Sequence, residues 1–120
     1  MGLAEKLDEK ANMLLSFLCS KTIQLGSFLF CVFGQLSDQL TTQININFLG
    51  CVETNPYIAP IIASPIMIFV EIGFFSVVWL IPYTLTKITK HASPLMLMGF
   101  LFGTSKIAAA FHNISLWFWR

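Results

Sequence analysis

Apolar and polar positions follow two different patterns along this chain. Over residues 2 to 20, Leu3, Leu7, Ala11, Leu14 and Leu18 recur three or four positions apart, while Glu5, Lys6, Asp8, Glu9, Lys10 and Asn12 fill the positions between. That spacing predicts an amphipathic helix. From about Ile23 onward, long apolar runs take over. They cover residues 23–48, 65–86 and 94–119, separated by a loop at 50–64 and a short connection at 87–93. Each run exceeds the ~20 residues an α-helix needs to cross bilayer hydrocarbon. The predicted fold is an all-α integral membrane protein: three transmembrane helices plus an N-terminal amphipathic interfacial helix, in one domain over 1–120. Such a helix can lie on a membrane surface. Its three acids and two lysines favour docking on protein over resting on anionic lipid.

Proline sets the predicted boundaries. Asn55–Pro56, Ser64–Pro65 and Ser93–Pro94 each pair a capping residue with a proline suited to the first helical position. The first opens a short turn in the loop; the others start the second and third spans. Pro82 is expected to bend the last turn of the second span.

Composition supports the membrane reading. Of 120 residues, 56% are hydrophobic, 12 are Phe and only 11% are charged, too few charges for an ordinary soluble surface. The formal net charge of +1 lacks the basic patch a nucleic-acid partner would need. Cys19, Cys31 and Cys51 form no CxxC pair and read as isolated thiols. His91 and His112 are isolated as well, so neither a metal site nor a cofactor is expected. The N-terminus mixes acids with its lysines, unlike a secretory signal. Lys6 also stands where a myristoylation pattern calls for Ser or Thr.

Lysines give an orientation. With three spans, Lys6, Lys10, Lys21, Lys87 and Lys90 share one side, while the other side carries only Arg120. The positive-inside rule then places the N-terminus in the cytoplasm and the C-terminus outside the plasma membrane, with Trp117 and Trp119 at the outer interface.

Two polar stripes run through the apolar background. Gly34, Asp38, Thr41 and Asn45 fall on one face of the first span, bordered by Gln35 and Thr42. In the third span, Gly99, Gly103, Lys106, Ala110 and Asn113 do the same. Gly99 and Gly103 form a GxxxG, which permits close helix approach. Glu71 stands in the mostly apolar second span. At 1.5 Å per residue, Asp38 lies roughly 10–15 Å from the outer end of its span, Glu71 about 9 Å, Lys106 about 16–20 Å and His112 about 8–10 Å. Asp38–Lys106 is the first expected ion pair and Glu71–His112 the second, with swapped pairing as the alternative. An unpaired charge at the bilayer centre costs about 2.5–3.5 kcal/mol on insertion scales, so partners are expected. Helix–helix adhesion is the leading reading of the stripes. A proton or ion path through Asp38, Lys106 and Glu71 comes next, and a catalytic carboxylate pair last. Glu53 reads as a solvated or capping loop carboxylate.

The pattern D-x-x-T-T, then Gly, then E-x-N-P resembles a small, functionally uncharacterised family of prokaryotic membrane proteins with a few spans. Here it is Asp38, Thr41, Thr42, Gly50, Glu53, Asn55 and Pro56. The resemblance covers chiefly residues 34–60, with Asn113 as a looser match. It implies no reaction. It does imply a structural unit in which Asp38 and Thr41 join Glu53 and Asn55 in one outer-side polar cluster, the 54–65 segment folding back as a partly re-entrant turn.

The expected function is a non-catalytic small subunit that packs in and stabilises a larger membrane complex, of respiratory or monooxygenase type. Its expected partners are membrane lipids and other integral membrane subunits. The alternative is a homo-oligomeric proton or cation conductor or transporter using Asp38, Glu71 and Lys106. A hydrolase built on Asp38 with Glu53 or Glu71 has no supporting Gly-x-Ser-x-Gly or HExxH sequence.

Overall fold

The computed structural model describes residues 2–62 and 64–119; Arg120, the single basic residue assigned to the outer side, lies outside them. Helix α1 (Leu3–Leu18) stops at Cys19, whose N–H bonds back to Leu15 O. Ser20 then caps α2 (Lys21–Phe48), its Oγ accepting from Ile23 N at 3.4 Å. The two helices meet at a 54° bend. The far end of α2 is closed by Gly50 in the left-handed region (φ 68°), after which the Cys51 N–H reaches Asn45 O at 2.9 Å.

The loop that follows organises itself locally. Glu53 Oε1 accepts from Asn55 N (2.9 Å), and Asn55 Oδ1 accepts from Tyr57 N (3.0 Å). Asn55 O and Ile58 O then receive turn hydrogen bonds from residues 58–62. Ser64 Oγ accepts from Ile66 N at 3.2 Å as the next helix begins.

Residues Ile66–Ile88 run on as one 23-residue helix. It consists of α3 (Ile66–Phe75), a π turn over Ser76–Leu80, and α4 (Ile81–Ile88). The sequence predicts a bend at Pro82. Pro82 is fully buried at the start of α4, directly after the π turn, in a helix that continues to Ile88. A wider turn makes room for the ring against the preceding carbonyls and accommodates the missing N–H without breaking the helix.

The entry into the last helix also departs from expectation. Ser93 does not cap it. Thr89 breaks the chain in extended conformation, and its Oγ1 accepts from His91 N at 3.3 Å. A 3₁₀ turn over Lys90–Met96, with Pro94 inside, leads into α5 (Leu97–Ser115). Fully buried Ser93 donates to Leu15 O at 3.2 Å, tying this turn to the end of α1.

Two stretches, Ile66–Ile88 and Lys90–Ser115, are long and apolar enough to cross a membrane; α2 makes a third when counted with α1. The first span is less apolar than the other two because Gln24, Ser27, Gln35, Asp38, Thr41 and Asn45 lie along it. It is nevertheless the centre of the bundle. Contacts at Ser27–Met96, Asp38–Lys106 and Asn45–Asn113 ascend both chains together, so α2 and α5 are parallel. Gln43–Ile62, Gln35–Glu71 and Gln24–Trp79 run in opposite senses, so α3–α4 is antiparallel to α2. The bundle is inside-out in polarity. Gln24, Ser27, Gln35, Thr41 and Asn45 are buried, whereas Leu29, Phe33, Leu36, Leu40, Phe69 and Leu101 are exposed. That distribution suits a surround of hydrocarbon.

Candidate functional site: a polar seam between α2 and α5

On α2, residues 24, 27, 31, 34, 38, 41 and 45 alternate steps of three and four, and along α5 and its two flanks residues 96, 99, 103, 106, 110, 113 and 117 do the same. This is the repeat of a coiled-coil seam, filled here with small and polar side chains rather than leucines. Its lower half is a backbone contact. A Cβ on Gly34 would stand 2.9 Å from Gly103 Cα, and one on Gly103 would strike the Phe30 carbonyl. A Cβ on Gly99 would collide with Ser27, whose Oγ donates to Met96 O at 2.7 Å. Cys31, fully buried, fills the seam as a small residue.

Above the glycine crossing the side chains become polar and meet in a network. Lys106 Nζ lies 3.2 Å from Asp38 Oδ2. Its ammonium also sits 5.5 Å from the Phe102 ring centroid and 6.0 Å from that of Phe74, an added cation–π contact. Two turns beyond Lys106, the Asn113 amide nitrogen faces Thr41 Oγ1 and Thr42 Oγ1, each at 3.0 Å, and Asp38 Oδ1 at 3.4 Å. Two amide hydrogens serve three acceptors, so they are shared. Thr41 passes its own proton back to Ser37 O (2.8 Å). Asn45 extends the chain of contacts: its Nδ2 donates to Asn113 O (3.2 Å) and its Oδ1 accepts from the Trp117 indole. Among the described residues, every buried side-chain nitrogen and oxygen has a partner.

The remaining predicted site residues lie elsewhere. Glu71 does not meet His112. The α5 seam residues turn toward α2 and leave His112 on an exposed face, while Glu71 takes a hydrogen bond from Gln35 Nε2 at 2.6 Å. Glu53, Asn55 and Pro56 do not join Asp38 and Thr41 in one outer cluster. Glu53 and Asn55 accept from backbone N–H groups of the loop itself, and Asp38 and Thr41 meet side chains of α5. The loop does come back beside α2, but through Gln43 Nε2, which donates to Ile62 O at 2.6 Å. Sequence reasoning missed Ser27, Gln43 and Trp117 as parts of these contacts. Extending the three–four spacing below Gly34 and beyond Asn113 would have found Ser27 and Trp117.

The carboxylates of Asp38 and Glu71 thus belong to separate hydrogen-bond sets, Asp38 with α5 and Glu71 with Gln35. Among the described residues, no three His, Cys, Asp or Glu side chains converge. No protein-family model, curated protein or solved structure matches this chain. Fold and seam together define an all-helical protein with two to three helices able to span a membrane, held by a polar seam.

Proposed function

We propose that this chain is a small, non-catalytic integral-membrane subunit that packs in and stabilises a larger membrane protein complex, such as a respiratory or monooxygenase assembly. One observation carries the reading: the polar stripe is consumed in contacts between α2 and α5. Asp38, Thr41, Thr42, Asn45, Lys106 and Asn113 bond to one another or to the backbone. At Gly34 and Gly103, the helix backbones touch where a file of water would have to pass. Groups that conduct ions keep a water path or an exchangeable site; these are used as adhesive. The outward-facing apolar side chains offer area for lipid and for neighbouring subunits.

The host membrane in this reading is the plasma membrane, with the N-terminus cytoplasmic and the C-terminus outside. Lys21, Lys87 and Lys90 gather at one end of the bundle, beside α1 with Lys6 and Lys10, in keeping with a cytoplasmic face. The D-x-x-T-T residues act here as structural anchors of the seam.

The experiment is gentle solubilisation of native membranes, native electrophoresis and mass spectrometry of whatever co-migrates. A reproducible stoichiometric set of other membrane subunits is the expected outcome. A clean homo-oligomer would overturn the reading and return Asp38, Glu71 and Lys106 to consideration as an ion path.

A further inference from the structure

The flank of α2 that faces α3 is left open. An apolar groove of about 490 Å³ runs between the two helices. Phe28, Val32 and Leu36 form one wall, and Met67, Ile72 and Phe75 the other. Between these walls sit Gln35 and Glu71. Gln35 Nε2 donates to the Glu71 carboxylate at 2.6 Å and to the Glu71 carbonyl at 2.9 Å. A neutral amide disperses a carboxylate's charge without cancelling it. Lys106 is engaged by Asp38, and no other ion pair forms among the described residues. The Gln39 side chain, also lining the groove, makes no hydrogen bond to the described residues. An acid facing hydrocarbon is costly, and a cation at the same depth offsets that cost.

The groove's shape narrows the choice of occupant. Its α2 residues run from 28 to 39, three turns, and its α3 residues from 67 to 75, just over two. An elongated seat between two helical ridges is what a third helix fills with a ridge of its own. A lipid acyl chain would cover the walls but offer Glu71 neither a proton nor a charge. We infer that the groove seats a membrane-spanning helix of a different chain, and that a Lys or Arg on that helix pairs with Glu71. This inference rests on the subunit reading above and says where the chain docks.

The test places a photo-crosslinking p-benzoylphenylalanine at Leu36, in the groove, or at Leu101, on the exposed face of α5, in the full chain in its native membranes. The Leu36 probe should form one adduct, to a membrane-spanning peptide with a Lys or Arg within a turn of the crosslink; Leu101 should not label that peptide. Glu71→Gln, nearly isosteric, should lower the adduct yield about tenfold, equivalent to ~1.4 kcal/mol. Glu71→Lys should abolish it, and replacing the partner's basic residue with Glu should restore it. Helical content and melting of each variant, followed by circular dichroism, separate lost docking from lost folding. Adducts to lipid, to a second copy of this chain, or to a helix without a basic residue would overturn the inference, as would a yield unmoved by Glu71→Gln. If a heteromeric complex co-migrates on the native gel but the groove yields no such adduct, docking through Glu71 fails alone. If no other subunit co-migrates, the subunit reading fails with it.

Discussion

At 24% and 17% side-chain exposure, Lys106 and Asp38 are largely shielded by the two helices that carry them. Such a pair is coupled in a way that single substitutions overstate. Lys106→Met leaves Asp38 facing apolar surroundings with only the long 3.4 Å contact to Asn113. Removing one partner of a buried pair typically costs about 3–5 kcal/mol, and a loss of that order is expected here. Asp38→Asn combined with Lys106→Met removes both charges and keeps an amide near Asn113, so most of that loss should be recovered. Reversible unfolding in bicelles, run on both single variants and the double, measures the coupling. Losses that simply add would mean the two side chains do not stabilise each other.

Among the elements, α2 and α5 depend on small residues as much as on polar ones. Gly34 and Gly103 let the backbones touch, which brings Asp38 within reach of Lys106 one turn above. Gly34→Leu would wedge the helices apart at the crossing, where the obstacle is Gly103 backbone rather than a side chain that can rotate away. Overpacking of this kind costs about 1–3 kcal/mol, and the seam hydrogen bonds above it should loosen as well. Faster exchange of the Asn113 and Trp117 side-chain N–H protons in NMR spectra would report that loosening; unchanged exchange would mean the polar half holds without the crossing. Much of this pairing was legible in the sequence, since Asp38, Lys106 and the glycines share helical faces and comparable depths. What was not legible depends on rotation and on competition for partners. His112 is only one residue from Asn113, yet a step of 100° turns it off the seam. Glu71 has a nearer partner in Gln35, on a neighbouring helix whose azimuth no single-helix pattern can give. Ser93 looked like a cap because Pro94 follows it, but burial against α1 gave its hydroxyl to Leu15 O and left the capping to Thr89. The π turn before Pro82 was not legible for a related reason: it is a local rearrangement that sequence periodicity does not encode.

On the scale of the whole molecule, helix directions and charge placement have to agree. Because α2 and α5 are parallel and α3–α4 antiparallel to both, the α1/α2 junction and the 3₁₀ turn lie at one end and the Gly50–Ser64 loop at the other. The lysine-bearing end also carries Trp79 stacked on Tyr83 at 4.7 Å, with Lys87 above the Tyr83 ring at 5.1 Å. Amphipathic aromatics next to lysines are what a membrane–water boundary selects. The loop end carries no lysine or arginine among the described residues from Gly50 to Ser64. A cytoplasmic lysine end therefore predicts opposite labelling of the two ends. In a background with Cys19, Cys31 and Cys51 replaced by serine or alanine, Val52→Cys and Ile88→Cys both lie at exposed positions, 83% and 76%. A membrane-impermeant maleimide added to intact cells should label position 52 and reach position 88 only after permeabilisation. The reverse pattern would invert the topology and show that charge counts in these short segments do not govern insertion here. Labelling of both positions before permeabilisation would instead put both ends on the outside, which requires an even number of crossings between residues 52 and 88 and would remove Ile66–Ile88 as a span.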